Sequence, residues 1–181
     1  MKEDLSESLG AGPGAVIRKV AERSPNAGSP MRLVLFALDG QRYGLPLARV
    51  ERALPMVAVA PLPKAPAIAL GVINLHGQVI PVLDVGRRLG LPAREYGLTA
   101  HLLVARTARR RLALPVEEAL GVQEVSTAAV IPPHAVLPGI GHVAGIATLP
   151  DGILFIHDLD TFLSLDEERQ LGEALEGFVP E

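Results

Sequence analysis

From Met31 onward the apolar residues come in short runs broken by turn formers. Arg32 to Leu38 is rich in strand formers and ends at Asp39-Gly40, a pair that suits a two-residue hairpin turn because both positions tolerate positive φ. Gln41 to Leu45 is the return strand. Leu47, Val50 and Leu54 then recur at helical spacing, with Arg49, Glu51 and Arg52 between them, which predicts a helical turn stopped by Pro55. Val57-Ala58-Val59 reads as a short strand before Pro61-Leu62-Pro63. Leu70 to Leu75 and Gln78 to Leu83 form a second hairpin around His76-Gly77, and Asp84 is placed to cap a brief helix over Asp84 to Leu89. Few segments exceed eight residues, a texture of small barrels and not of a doubly wound α/β sheet.

The pattern occurs twice. Leu33-Val34-Leu35-Phe36 aligns with Leu102-Leu103-Val104-Ala105, and without a gap Gly44-Leu45-Pro46-Leu47 falls over Ala113-Leu114-Pro115-Val116. Gly71-Val72-Ile73-Asn74-Leu75 aligns with Gly145-Ile146-Ala147-Thr148-Leu149, and again without a gap Val79 to Asp84 falls over Ile153 to Asp158. The Pro-rich stretch Ala128 to Ile140 is where the copies differ. A unit of about 55 to 60 residues buries too little surface to be secure alone. Two copies packed side by side would share a core and leave a groove between them.

Composition adjusts this picture in three ways. Apolar residues make up 49% of the 181, but aromatics only 3%, so the core must be aliphatic. Seventeen Lys and Arg against 20 Asp and Glu give a net charge of −3, which argues against a chain made chiefly for nucleic acid or anionic lipid. Cysteine is absent, which removes disulfides, thiolate metal sites and cysteine nucleophiles. No apolar stretch reaches the roughly 18 residues of a membrane span, and Met1 to Ser8 lacks the basic start and apolar middle of a secretory signal, so a soluble, cytoplasmic chain is expected. Residues 1–30, rich in Gly, Pro, Ser and Glu, read as a flexible tail. Within them Ala15 to Arg23 could form a short helix. Gly10 to Ala15 fits a loose dinucleotide-binding pattern but lacks the preceding strand that pattern needs. The domain is expected over 31–165, with subdomains at about 31–90 and 99–165 and a C-terminal tail over 166–181.

Candidate chemistry is sparse. His76, His101, His134, His142 and His157 are scattered, and no two sit at i, i+4 on an evident helix, so neither a metal site nor a cofactor is expected. No serine sits in a nucleophile-elbow context. Asp84 and Asp158 occupy equivalent places in the two copies, which suggests a shared capping role and not a catalytic pair. Arg109-Arg110-Arg111 reads as a charged hairpin tip. With Arg106 it supports a competing reading as a nucleic-acid-binding double barrel, although Tyr43 and Tyr96, the two tyrosines, lie far from it in sequence. A small enzyme is the third reading, and no base, nucleophile and oxyanion donor can be assembled for it.

The block Gly71-Val72-Ile73-Asn74-Leu75-His76-Gly77-Gln78-Val79-Ile80-Pro81-Val82-Leu83-Asp84 resembles the signature of the CheW family, close to G-V-I-N-L-R-G-x-[VI]-[VI]-P-[VI]-[VIL]-[DN]. Phe36 to Leu47 resembles that family's opening hairpin, and His101 to Thr107 and Ala144 to Asp158 its second half. The resemblance implies a mainly β fold of two small five-stranded SH3-like barrel subdomains with short helices. It also implies a non-catalytic scaffold of bacterial chemosensory arrays. Such a scaffold links the cytoplasmic tips of chemoreceptors to the regulatory domain of the histidine kinase CheA, with neither nucleic acid nor membrane insertion. Its kinase contacts map to Val34, Leu47 and Val50. Its receptor contacts map to Val50, Arg52, Gly71, Val72, Asn74 and His76, as helix-in-groove recognition. The family's usual Arg before the turn glycine is His76 here, and its usual acidic partner falls at Arg52, beside Glu51. A paralogue with altered receptor specificity, serving a pilus-based or other pathway, is the variant of this reading that those two positions suggest.

Overall fold

The computed structural model describes residues 29–135 and 142–180. The expected tail and helix of the N-terminal region, up to residue 28, lie outside these. Eleven strands form in chain order among the described residues: β1 (Pro30–Leu38), β2 (Gln41–Pro46), β3 (Val50–Pro55), β4 (Ala69–Leu75), β5 (Gln78–Leu83), β6 (His101–Arg106), β7 (Arg111–Val116), β8 (Glu118–Ser126), β9 (Val130–Ile131), β10 (Val143–Leu149) and β11 (Gly152–His157). Two α-helices accompany them, α1 (Val85–Arg88) and α2 (Leu165–Glu176). The predicted hairpins stand where the turn chemistry puts them. Asp39 and Gly40 (φ 51° and 74°) join β1 to β2, and His76 and Gly77 (φ 51° and 83°) join β4 to β5.

The strands make two sheets, ordered β8-β1-β2-β11-β10-β9 and β3-β6-β7-β5-β4. Neither sheet is one half of the chain. The first hairpin of each sequence copy (β1–β2, β6–β7) is built into the sheet that holds the remaining strands of the other copy. The two parallel junctions that result are equivalent in the repeat: Ile156 lies beside Gly44, and Val82 beside Ala113. The copies therefore interleave and do not pack side by side as expected. The sequence boundary between 31–90 and 99–165 is not the boundary between sheets.

Interleaving explains why β1 and β6 are continuously apolar where a half-solvated strand would alternate. Leu33 and Leu35 face one interior, lined by the first sheet, with Ala147, Leu154 and Ile156. Their equivalents Leu102 and Val104 face the second interior with Ile73, Ile80 and Val82. The alternate residues Val34, Phe36, Leu103 and Ala105 turn the other way, into a central core between the sheets.

Three local expectations change. Leu47 to Leu54 is not a helix: Leu47–Arg49 make one 3-10 turn and the chain then enters β3. A bulge between Val50 and Arg52 breaks the alternation of β3 and so imitates helical spacing. Val57 to Val59 is not a regular strand. It leads to a single bridge, Ala60 with Val72, through which the free edges of the second sheet approach each other. Residues 166–181, read as a tail, carry most of α2. Ser164 caps this helix and Glu167 completes a capping box, and Leu171 and Ala174 enter the central core. The signal was present as Ser164-x-x-Glu167 with Leu171, Ala174 and Leu175 at helical spacing. Asp84 and Asp158 both cap, as their repeat equivalence suggested: Asp84 accepts from the Arg87 N–H and Asp158 from the Asp160 N–H.

Candidate interaction surface

The residues mapped from the family resemblance separate into four places. Val34, 8% exposed, lies in the central core and supports the surface from behind. Leu47 and Val50 are half-buried neighbours at the turn from β2 into β3, packed on the edge of that core. Arg52 is exposed on β3, at one edge of the second sheet. Gly71, Val72, Asn74 and His76 belong to β4 and its turn, at the other edge. Gly71 and Val72 are buried, whereas Asn74 and His76 are exposed. The Asn74 side chain serves the turn, its Oδ1 accepting from the Gly77 N–H at 2.8 Å.

A cleft of about 780 Å³ opens beside β4. Val72, Asn74 and Val79 line it from the sheet, Ala60, Pro61, Pro63 and Lys64 from the adjoining loop, and Glu173, Ala174 and Gly177 to Pro180 from the end of α2. The lining is chiefly aliphatic, and it includes Val72 and Asn74 from the mapped receptor set but not Val50, Arg52, Gly71 or His76. The α2 wall was missed in the sequence because 166–181 read as tail.

The basic cluster turns out to be structural. Glu51 sits on the β3 bulge and accepts from Arg111 (Nη2 2.6 Å, Nε 3.0 Å) and from Arg106 (Nη2 2.9 Å). These bonds, Arg111 first, hold the Glu51 carboxyl below its ordinary range. Arg111 also donates to Gln78 at the start of β5, so one guanidinium ties β3, β5 and β7 together. A bidentate arginine–carboxylate bridge thus joins Arg111 to Glu51 across the second sheet. Arg110 bonds Glu168 at 2.5 Å, and Arg88 holds both oxygens of Glu167 at 2.6 Å, which pins α2 to α1 and to the turn before β7. Burial opposes ionisation of Glu167, yet the bonds from Arg88 and Ser164 keep its carboxyl below the usual range. Carboxylates thus engage Arg106, Arg110 and Arg111, three of the four arginines behind the competing nucleic-acid reading.

Among the described residues no group of three or more His, Asp or Glu could hold a metal ion. His157 is 1% exposed, against 4% for Asp84, the other buried polar or charged side chain among the described residues, and it lies outside the cleft. It occupies the repeat position of Leu83. Its ring stacks on Tyr43 and Phe36, with centroids at 5.3 and 6.3 Å.

Comparison with known proteins agrees with this architecture. Over residues 32–167 the chain matches the CheW-like domain. It is 27% identical to the chemotaxis protein CheW of Rhizobium meliloti (strain 1021) over 140 residues, covering 76% of this chain and 90% of that one. It is 30% identical to protein FrzA of Myxococcus xanthus over 98 residues, 54% of this chain and 61% of that one. The crystal structure of scaffolding protein TtCheW from Thermoanaerobacter tengcongensis superposes with a TM-score of 0.70 at 26% identity, over 77% of this chain and 96% of that one. A duplicated, interleaved pair of sheets carrying the Gly71 to Asp84 block, matched along 32–167, makes this chain a member of the CheW-like domain family.

Proposed function

We propose that this chain is a non-catalytic adaptor of a bacterial chemosensory array, coupling the cytoplasmic tips of chemoreceptors to the regulatory domain of the histidine kinase CheA. The observation that carries the reading is the family match across 32–167. The features of the molecule that could meet a partner are grooves and strand edges, and no cluster of reactive side chains converges on the cleft. Leu47 and Val50, half-buried at the first barrel-face turn, are the kinase contacts. The β4 edge with its cleft, together with Arg52 and His76, is the receptor side. Signalling through such a scaffold requires a shift in the geometry of its partners and no bond chemistry by this chain. A cytoplasmic location accords with the reading, and among the described residues no helix is long and apolar enough to cross a membrane.

The altered-specificity form of this reading is supported by the same surface. With Glu51 taken by Arg111 and Arg106, exposed Arg52 and His76 present a guanidinium and an imidazole to the receptor side.

Pull-down and calorimetry with the regulatory domain of a cognate kinase test the adaptor reading. Micromolar or tighter binding is expected, and Leu47→Asp should weaken it at least tenfold by placing a charge in an apolar contact, on the order of 1.4 kcal/mol or more. A melting curve near that of the parent shows that the variant still folds. Unchanged affinity overturns the mapping of Leu47, and no binding by the parent chain overturns the adaptor reading.

A further inference from the structure

One wall of the cleft lies beyond the family match. Residues 173–180 follow position 167, where the matched domain ends, yet they face β4 across the opening. Val79 on one rim and Val179 on the other are 36% and 81% exposed. We infer that this cleft seats one amphipathic helix of the receptor and that residues 177–180 are the wall that selects which helix fits. The inference rests on the adaptor reading and adds to it a specificity determinant outside the family match.

A helix suits the site better than an extended peptide. Strand β4 is an edge, but its N–H and C=O at Val72 are already bonded to Ala60 at 2.8 and 2.9 Å. The loop that follows Ala60 runs Pro61-Leu62-Pro63, and its prolines offer no N–H to an incoming strand. A helix satisfies its own backbone and presents only side chains. Taken as a cylinder 10–12 Å wide, one turn of 5.4 Å fills about 420–610 Å³, so the cleft of about 780 Å³ accepts one to two turns. Apolar residues at i, i+3 or i+4 and i+7 would cover Val79 and Val179. Charge sets the flank. Glu173 already accepts from Arg169 at 3.1 Å, whereas Lys64 stands exposed at the mouth, in no ion pair among the described residues, and favours a carboxylate on the incoming helix.

The test uses the full chain with two probes in parallel: the cytoplasmic hairpin tip of a chemoreceptor from the same organism, and the kinase regulatory domain. Val179→Glu, a change at an exposed residue, should weaken hairpin binding at least tenfold. Lys64→Glu should weaken it severalfold, and kinase-domain affinity should stay within twofold throughout. If the parent binds the hairpin and Val179→Glu binds it equally well, the wall assignment is overturned and the adaptor reading stands. If the parent binds the kinase domain but no hairpin, the receptor half of the adaptor reading fails and the helix assignment falls with it.

Discussion

Gly71→Ala is expected to cost about 4 kcal/mol of stability, the largest loss among the conservative changes considered for this chain. Gly71 has φ 147°, a backbone conformation that L side chains rarely adopt, which alone costs about 1–3 kcal/mol. A Cβ placed there would lie 2.1 Å from the Ala60 carbonyl oxygen and 2.9 Å from its carbonyl carbon. These are backbone atoms, so no rotamer change relieves the clash. The neighbouring bridge, with both Ala60–Val72 hydrogen bonds, must open, at about 1 kcal/mol for each bond. Gly77 is the control. It also has positive φ (83°), but nothing lies within 4 Å of an added Cβ, so Gly77→Ala should cost only about 1 kcal/mol. Gly145, the repeat equivalent of Gly71, would meet the Val130 side chain at 2.3 Å, which can move more easily, and Gly145→Ala should fall between the two. Urea unfolding of the three variants checks the order. A loss at Gly71 no larger than at Gly77 would show that the strand crossing at Ala60 is not rigid. Because Val72 and Ala60 both line the cleft, Gly71→Ala should also weaken whatever binds there.

His157 should make the protein lose stability in mild acid. Burial among Phe36, Tyr43 and the central core lowers its pKa from 6.5 to about 4, and the nearby His142 adds to the lowering, while a hydrogen bond to the His142 carbonyl opposes it. The Nδ1–H donates to that carbonyl at 3.2 Å, which leaves Nε2 buried without a partner. Protonation would put a second donor where no acceptor waits. The unfolded chain takes up this proton below about pH 6.5 and the folded chain only near pH 4, so stability is full above pH 6.5 and falls between those values. The loss approaches roughly 3 kcal/mol at the lower limit. His157→Leu, which copies the repeat-equivalent Leu83, should remove this loss. Carboxylates such as Glu51 and Glu167 also titrate in acid, but they are common to both proteins, and the difference between parent and variant isolates His157. Urea midpoints at pH 7.5 should nearly coincide, and at pH 4.5 the variant should be the more stable by about 2–3 kcal/mol. Parallel pH profiles would refute this account.

What could be read in the linear chain was whatever depends on neighbours in sequence. The Asp39-Gly40 and His76-Gly77 turns, the capping aspartates at 84 and 158, and the duplication were legible because turn dihedrals and caps are set within a few residues. The Gly71 to Asp84 block was enough to place the chain in its family. Pairings across 50 to 110 residues were settled by packing. The exchange of β1–β2 with β6–β7 left no local mark, because Leu33 and Leu102 are equally apolar in either sheet. The β3 bulge made a strand look helical. Arg109 to Arg111 read as a charged hairpin tip, and the turn from β6 to β7 does fall there, but the pairing of Arg110 with Glu168 and of Arg111 with Glu51 came only with the tertiary structure. The burial of Val34 and the α2 wall of the cleft depend on the central core, which forms only when both copies interleave. Local backbone preference thus determined the turns, caps and strand character of this protein, while long-range burial of aliphatic surface decided which strands meet, which charges pair and where a partner can enter.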